Sequence, residues 1–134
     1  MFGLDINVWA VLAATIAGMV IGAIWYSGKV FGPIFRAEVA KLGTKGGDLG
    51  KAIAISAATQ LVTALVLATI FSYIGVEGPG QGTIIGLEFG LGLIFPFAVK
   101  AAPFEGRSWT LVALNTGEHA VTLAAMGAIL GAWR

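Results

Sequence analysis

Residues 7–27 read NVWAVLAATIAGMVIGAIWYS, a polar residue followed by a long apolar run without a single charged side chain. A hydrocarbon core of about 30 Å takes about 20 predominantly apolar helical residues, and this stretch is long enough. It does not alternate apolar and polar positions, as a barrel strand in a membrane would. A helix, which satisfies its own backbone in lipid, is therefore the reading. Three further stretches of the same kind follow, near 52–74, 83–99 and 110–133. The expected fold is all-α: one domain over 1–134, an integral membrane bundle of four transmembrane helices.

Composition agrees. The 134 residues are 57% hydrophobic and only 11% charged, against about 25% charged in soluble domains. Mean hydropathy is +0.90. Eight basic and seven acidic residues give a net charge of +1, which argues against a nucleic-acid binder or an acidic tail. The lipid bilayer is the expected partner. Cysteine is absent and His119 is the only histidine, so no disulfide, thiolate metal site, multi-histidine metal site or cofactor is expected. The opening segment does not read as a secretory signal. It lacks a basic start, carries Asp5, and its apolar run is too long.

Glycine and proline punctuate the runs. Gly28, Gly32 and Pro33 close the first; residues 75–82 separate the second from the third, and 101–106 the third from the fourth. In the first connector Phe35, Val39 and Leu42 recur at helical spacing behind Pro33, so 33–42 is read as a short amphipathic helix on the cytoplasmic surface. Lys29, Arg36, Lys41, Lys45 and Lys51 lie in or beside that connector, and Lys100 and Arg107 flank the third; only Arg134 falls at the other end. Basic residues favour the cytoplasmic side. Both termini are therefore expected outside, in a cytoplasmic membrane of bacterial type. Trp9, Tyr73 and Trp133 then fall at the outer interface, and Trp25, Tyr26 and Trp109 at the inner one.

Polar residues inside the runs form stripes. The second run carries Ser56, Thr59, Gln60 and Thr63; the fourth carries Asn115, Glu118, His119 and Thr122 at the same spacing. The match suggests two hairpins related as a parallel repeat, an arrangement found in some transporters. Glu88 adds an ionisable group to the third run. Such groups are costly in a membrane and mark pathways, cavities or bundle interiors. For Glu118 and His119, about 100° apart on a helix, partners on the second run or in another subunit are expected. Small residues form further rows: Gly18 and Gly22, Gly82-Gly86-Gly90, and Gly117, Gly127 and Gly131. They let helices pack closely within a bundle or between copies. Their number favours a homo-oligomer, most simply a two-fold dimer.

Enzyme motifs such as H-E-x-x-H, G-x-S-x-G and a P-loop are missing, so no catalysis is expected. The leading expectation is a small homo-oligomeric transporter or channel for a proton, small cation or solute, with the stripes as its path. The alternative is a structural or interaction module in which the stripes only hold helices together.

Asn7-Val8-Trp9, then Gly22-Ala23-Ile24-Trp25-Tyr26-Ser27 with Phe31-Gly32, and the closing Gly127-Ala128-Ile129-Leu130-Gly131-Ala132-Trp133 carry a resemblance. They resemble a family of small four-helix membrane proteins catalogued as domain of unknown function seventeen sixty-one. The resemblance implies a fold and no activity. Trp25-Tyr26-Ser27 itself reads as an interfacial anchor ending the first helix.

Overall fold

The structure is a computed structural model that describes residues 6–43 and 49–133; Asp5, Lys45 and Arg134 lie outside the described residues. Every described element is helical. In order they are α1 (Val8–Trp25), α2 (Gly32–Ala40), α3 (Leu49–Ile74), α4 (Gly78–Phe89), a π-helical turn (Gly90–Ile94), α5 (Phe95–Glu105) and α6 (Trp109–Ala132).

Local chemistry sets the ends. Asn7 Oδ1 accepts from the N–H groups of Trp9 and Ala10, at 3.0 and 3.2 Å, and so caps the first turn of α1. Gly75, at φ 68°, ends α3; the Val76 N–H then returns to the Phe71 carbonyl at 3.1 Å, and Val76 is 1% exposed. This is the glycine-terminated helix end in which an apolar residue closes over the last turn. Gly106, at φ 70°, ends α5 in the same way, with Arg107 N–H on the Ala102 carbonyl.

The third helix departs from its sequence reading. The apolar run predicts a span over 83–99, but α4, the π turn and α5 form one 28-residue helix, Gly78–Glu105. Pro79 falls in its first turn, where its missing N–H costs nothing. Pro96 follows directly on the π turn, in which Phe95 N–H reaches back to the Gly90 carbonyl. The wider turn takes up the ring that would disrupt a regular helix. Of the glycines and prolines that punctuate the sequence here, Gly78, Pro79, Gly80, Gly82 and Pro103 therefore lie inside the helix, and only Gly75 and Gly106 lie outside it.

Among the described residues three helices are long and apolar enough to cross a membrane: Val8–Trp25, Leu49–Ile74 and Gly78–Glu105. Most of their outward residues are apolar, with Ile16, Val62, Ile84 and Phe97 all more than half exposed, as a lipid-facing surface requires; Glu88 is an exception. α6 is 24 residues long but is diluted by Asn115, Glu118 and His119. It is the central helix, and α1, α3 and α4 all pack on it.

Glycine makes the closest of these contacts. A Cβ added at Gly82 would strike the Gly127 carbonyl, and one at Gly86 the Leu123 carbonyl; Gly131 meets Gly78 in the same way, and Gly90 meets Ala120. The row on the third run thus faces Gly127 and Gly131 of the fourth within one chain, while Gly117 faces Trp25 of α1 instead. A core of Val11, Leu67, Phe71, Met126 and Leu130 fills the end of the bundle nearest the two termini.

At the opposite end α2 docks on α6. Ser108 caps α6 by accepting the Leu111 N–H at 3.1 Å, and its hydroxyl donates to Glu38 Oε2 at 2.6 Å. Lys41 pairs with Glu38 at 3.1 Å. An acidic group at a helix N-terminus is favourable. Together the Ser108 hydroxyl and then Lys41 hold the Glu38 carboxyl below its ordinary value.

Candidate functional site

The end of the bundle that carries α2 is hollow. A cavity of about 810 Å³ lies between α1, α3 and α6, and Ser56, Thr59, Gln60, Asn115, Glu118 and His119 all line it. The two polar stripes therefore share one space. A smaller cavity of about 200 Å³ continues from it, taking in Thr63 and Thr122 and sharing Thr59, Gln60 and His119. A third, of about 380 Å³, runs between α5 and α6 from Glu105 and Arg107 past Asn115 and Thr116 to His119. All three meet at His119.

Glu118 is the deep group, 4% exposed. Thr122 Oγ1 donates to its Oε1 at 3.0 Å, and His119 Nδ1 lies 3.1 Å from its Oε2. Here the structure corrects the expectation of partners on another helix. The carboxylate faces Gly22 of α1, where an added Cβ would sit only 3.4 Å from Oε1. No side chain there competes for it, and the imidazole of the next residue turns back to take the second oxygen. The His119 side chain is half exposed.

The remaining stripe residues play smaller parts. The Thr59 and Thr63 hydroxyls donate to carbonyls of their own helix, each at 2.9 Å, so they face the cavity as acceptors. Gln60 lies over Gly18, where an added Cβ would come within 2.6 Å of its Oε1. Ser56 contacts the Met19 sulfur at 3.4 Å. Glu88 does not join them. It is exposed on α4, about 200° around the helix from Gly86, and Gly86 is the side that packs on α6.

Two contributors escape the stripe pattern. Tyr26 Oη donates to Asn115 Oδ1 at 2.7 Å, so the supposed anchor is a wall of the site. Its ring packs on Phe35, and Trp25 packs on Phe31, each pair with centroids 4.6 Å apart. Trp25 also covers Gly117, where a Cβ would lie 2.9 Å from the indole. Met19, Gly22 and Tyr26 stand three and four residues apart, and that helical spacing was the available signal. Thr116, whose buried hydroxyl has no partner among the described residues, gives no sequence signal. No three His, Cys, Asp or Glu side chains gather among the described residues.

Fold and site together define a helical protein of membrane type with a buried carboxylate, Glu118, paired with a half-exposed histidine on the wall of an open cavity of mixed polar and apolar lining. The chain matches the model of a family described as protein of unknown function (DUF1761) over residues 9–131, and it belongs to that family. No curated protein and no solved structure matches it.

Proposed function

We propose that the protein is a four-span carrier or channel that takes a proton or small cation to Glu118 and His119 from the cytoplasmic side. The observation that carries this reading is the position of Glu118: an almost fully buried carboxylate, paired with a half-exposed histidine, on the wall of a wide cavity that both polar stripes line. A structural bundle needs no such opening, because polar groups that only join helices close on one another. Intramembrane carboxylates and histidines in contact with a cavity are the usual parts of ion and proton paths.

The basic side chains Lys29, Arg36, Lys41, Lys51, Lys100 and Arg107 belong to the α2 end, which the positive-inside rule assigns to the cytoplasm. In this reading α6 spans the bilayer with the other three, and α2 rests at the inner surface. The mouth faces inward, and Met126, Phe71 and Leu67 close the outer half. No chemical transformation is assigned to the site.

Proteoliposomes carrying the purified chain and a trapped pH-sensitive dye test this, with a potassium diffusion potential as driving force. Proton entry above the empty-vesicle rate is expected. Glu118→Gln keeps the shape and removes the titratable oxygen, so it should return the rate to background while the protein stays folded. Equal flux through the parent and Glu118→Gln would defeat the pathway and favour a packing module.

A further inference from the structure

Glu88 belongs to none of the cavities. It lies ten residues past Gly78 in the 28-residue helix, about 15 Å along its axis, and so near mid-membrane. Its face is opposite the glycine seam with α6. Ile84, Leu87 and Leu91 share its exposure, at 59, 36 and 54%. Among the described residues the Glu88 side chain makes no hydrogen bond or ion pair. A carboxyl group that faces hydrocarbon alone is not sustainable, and side chains of this kind find a polar partner.

We propose that this face of α4 joins two copies of the chain, with the two Glu88 carboxyls meeting across a two-fold axis along the membrane normal. Copies of one chain insert with one orientation, so a two-fold along the normal brings α4 against α4 in parallel, each residue level with its counterpart. A carboxylic acid carries one donor and acceptor capacity together, so it is complementary to a copy of itself. A two-fold interface demands that kind of group. The apolar neighbours fit as well. Ile84 and Leu87 stand with Glu88 on one face of α4, and Leu91 continues that face where the π turn begins.

The nearest cations among the described residues are not alternatives. Lys100 lies twelve residues further along the same helix, toward the inner surface, and His119 is engaged with Glu118. The inference rests on the bilayer placement of α4 and is independent of any flux through the cavity.

The chain has no cysteine, so single cysteines can be placed freely. In proteoliposomes of purified protein under mild oxidation, Ile84→Cys and Leu91→Cys should give covalent dimers. Ile16→Cys and Val66→Cys, exposed on α1 and α3, should remain monomeric. Glu88→Gln, whose amide is also self-complementary, should keep the dimer. Glu88→Leu should weaken association by about tenfold. Absence of cross-links at 84 and 91, equal cross-linking at all four sites, or unchanged association of Glu88→Leu would each overturn the proposal. If Glu88→Leu does not fold, the cross-linking pattern decides alone. A parent chain without flux, or flux unchanged in Glu118→Gln, with this cross-linking pattern intact would count against the pathway and leave the interface standing.

Discussion

Glu118, Tyr26 and Ser108 show what single residues contribute. The Glu118 carboxylate has one oxygen on Thr122 and the other on His119. Thr122→Val, close in shape, should therefore destabilise modestly, by about 0.5–1 kcal/mol, the scale of intramembrane hydrogen bonds. Tyr26→Phe should cost a similar amount by leaving Asn115 without its donor; a chemical-denaturation midpoint in detergent reads both. Ser108→Ala removes a helix cap and should cost about 1 kcal/mol. It also removes the first group that lowers Glu38. Because the folded carboxyl lies below its ordinary value of 4.5, its stabilisation is present above that value and fades as pH falls through the lower folded one. Thermal unfolding of the parent should therefore weaken on acidification more than that of Ser108→Ala, and parallel pH profiles would refute the link. Glu118 and His119 were legible because ionisable groups stand out in an apolar run. Their mutual pairing was not, since it depends on Gly22 of another helix leaving the carboxylate room.

Among the elements, the α4–α6 seam separates glycines that pack from glycines that do not. Gly86 lies against the Leu123 carbonyl, whereas Gly80 has nothing within 4 Å of an added Cβ and sits within a helix. Gly80→Ala should hold or raise stability, by up to about 1 kcal/mol, because alanine suits a helix better. Gly86→Ala should lower it, and Gly86→Leu or Gly127→Leu should prevent the bundle from closing. An unfolding titration of the four variants checks this, and a Gly86→Ala as stable as the parent would exclude so close an approach. The rows of small residues were plain in the sequence. Which row faces which was not, because spacing defines a face and not its partner. The ends of the third helix were misread for a related reason: Pro79 in 75–82 and Pro103 in 101–106 look like breaks, yet the first falls in the helix's first turn and the second lies inside the helix. For α2 the apolar spacing of Phe35 and Val39 was readable, while its anchor on Ser108 joins residues 70 apart.

For the whole molecule, the question is whether α6 crosses the bilayer with the three apolar helices. Hydropathy alone leaves it behind because of its polar residues, yet Glu118, Thr116 and Thr122 are all buried, and His119, half exposed, borders the cavities. Packing argues for a crossing. Gly131, at the end of α6, meets Gly78, at the start of α4, and Ala120 meets Gly90 near the middle. The two helices run antiparallel at matched depth, so a bilayer that contains α4 contains α6. Leu130 and Trp133 also border the same small cleft as Asn7 and Ser72, which brings both ends of the described chain to one face. Single cysteines at Lys41, Gly80 and Ala132, all exposed, separate the possibilities. Gly80 is the better choice within its turn, since Gly78 has φ 81° and carries the carbonyl that touches Gly131. With four spans, a membrane-impermeant thiol reagent added to intact cells should reach Gly80→Cys and Ala132→Cys and spare Lys41→Cys until the membrane is opened. If α6 stayed on the inner side, Ala132→Cys would be protected together with Lys41→Cys. That pattern would remove the membrane from around Glu118, and with it the reason to read its cavity as a path.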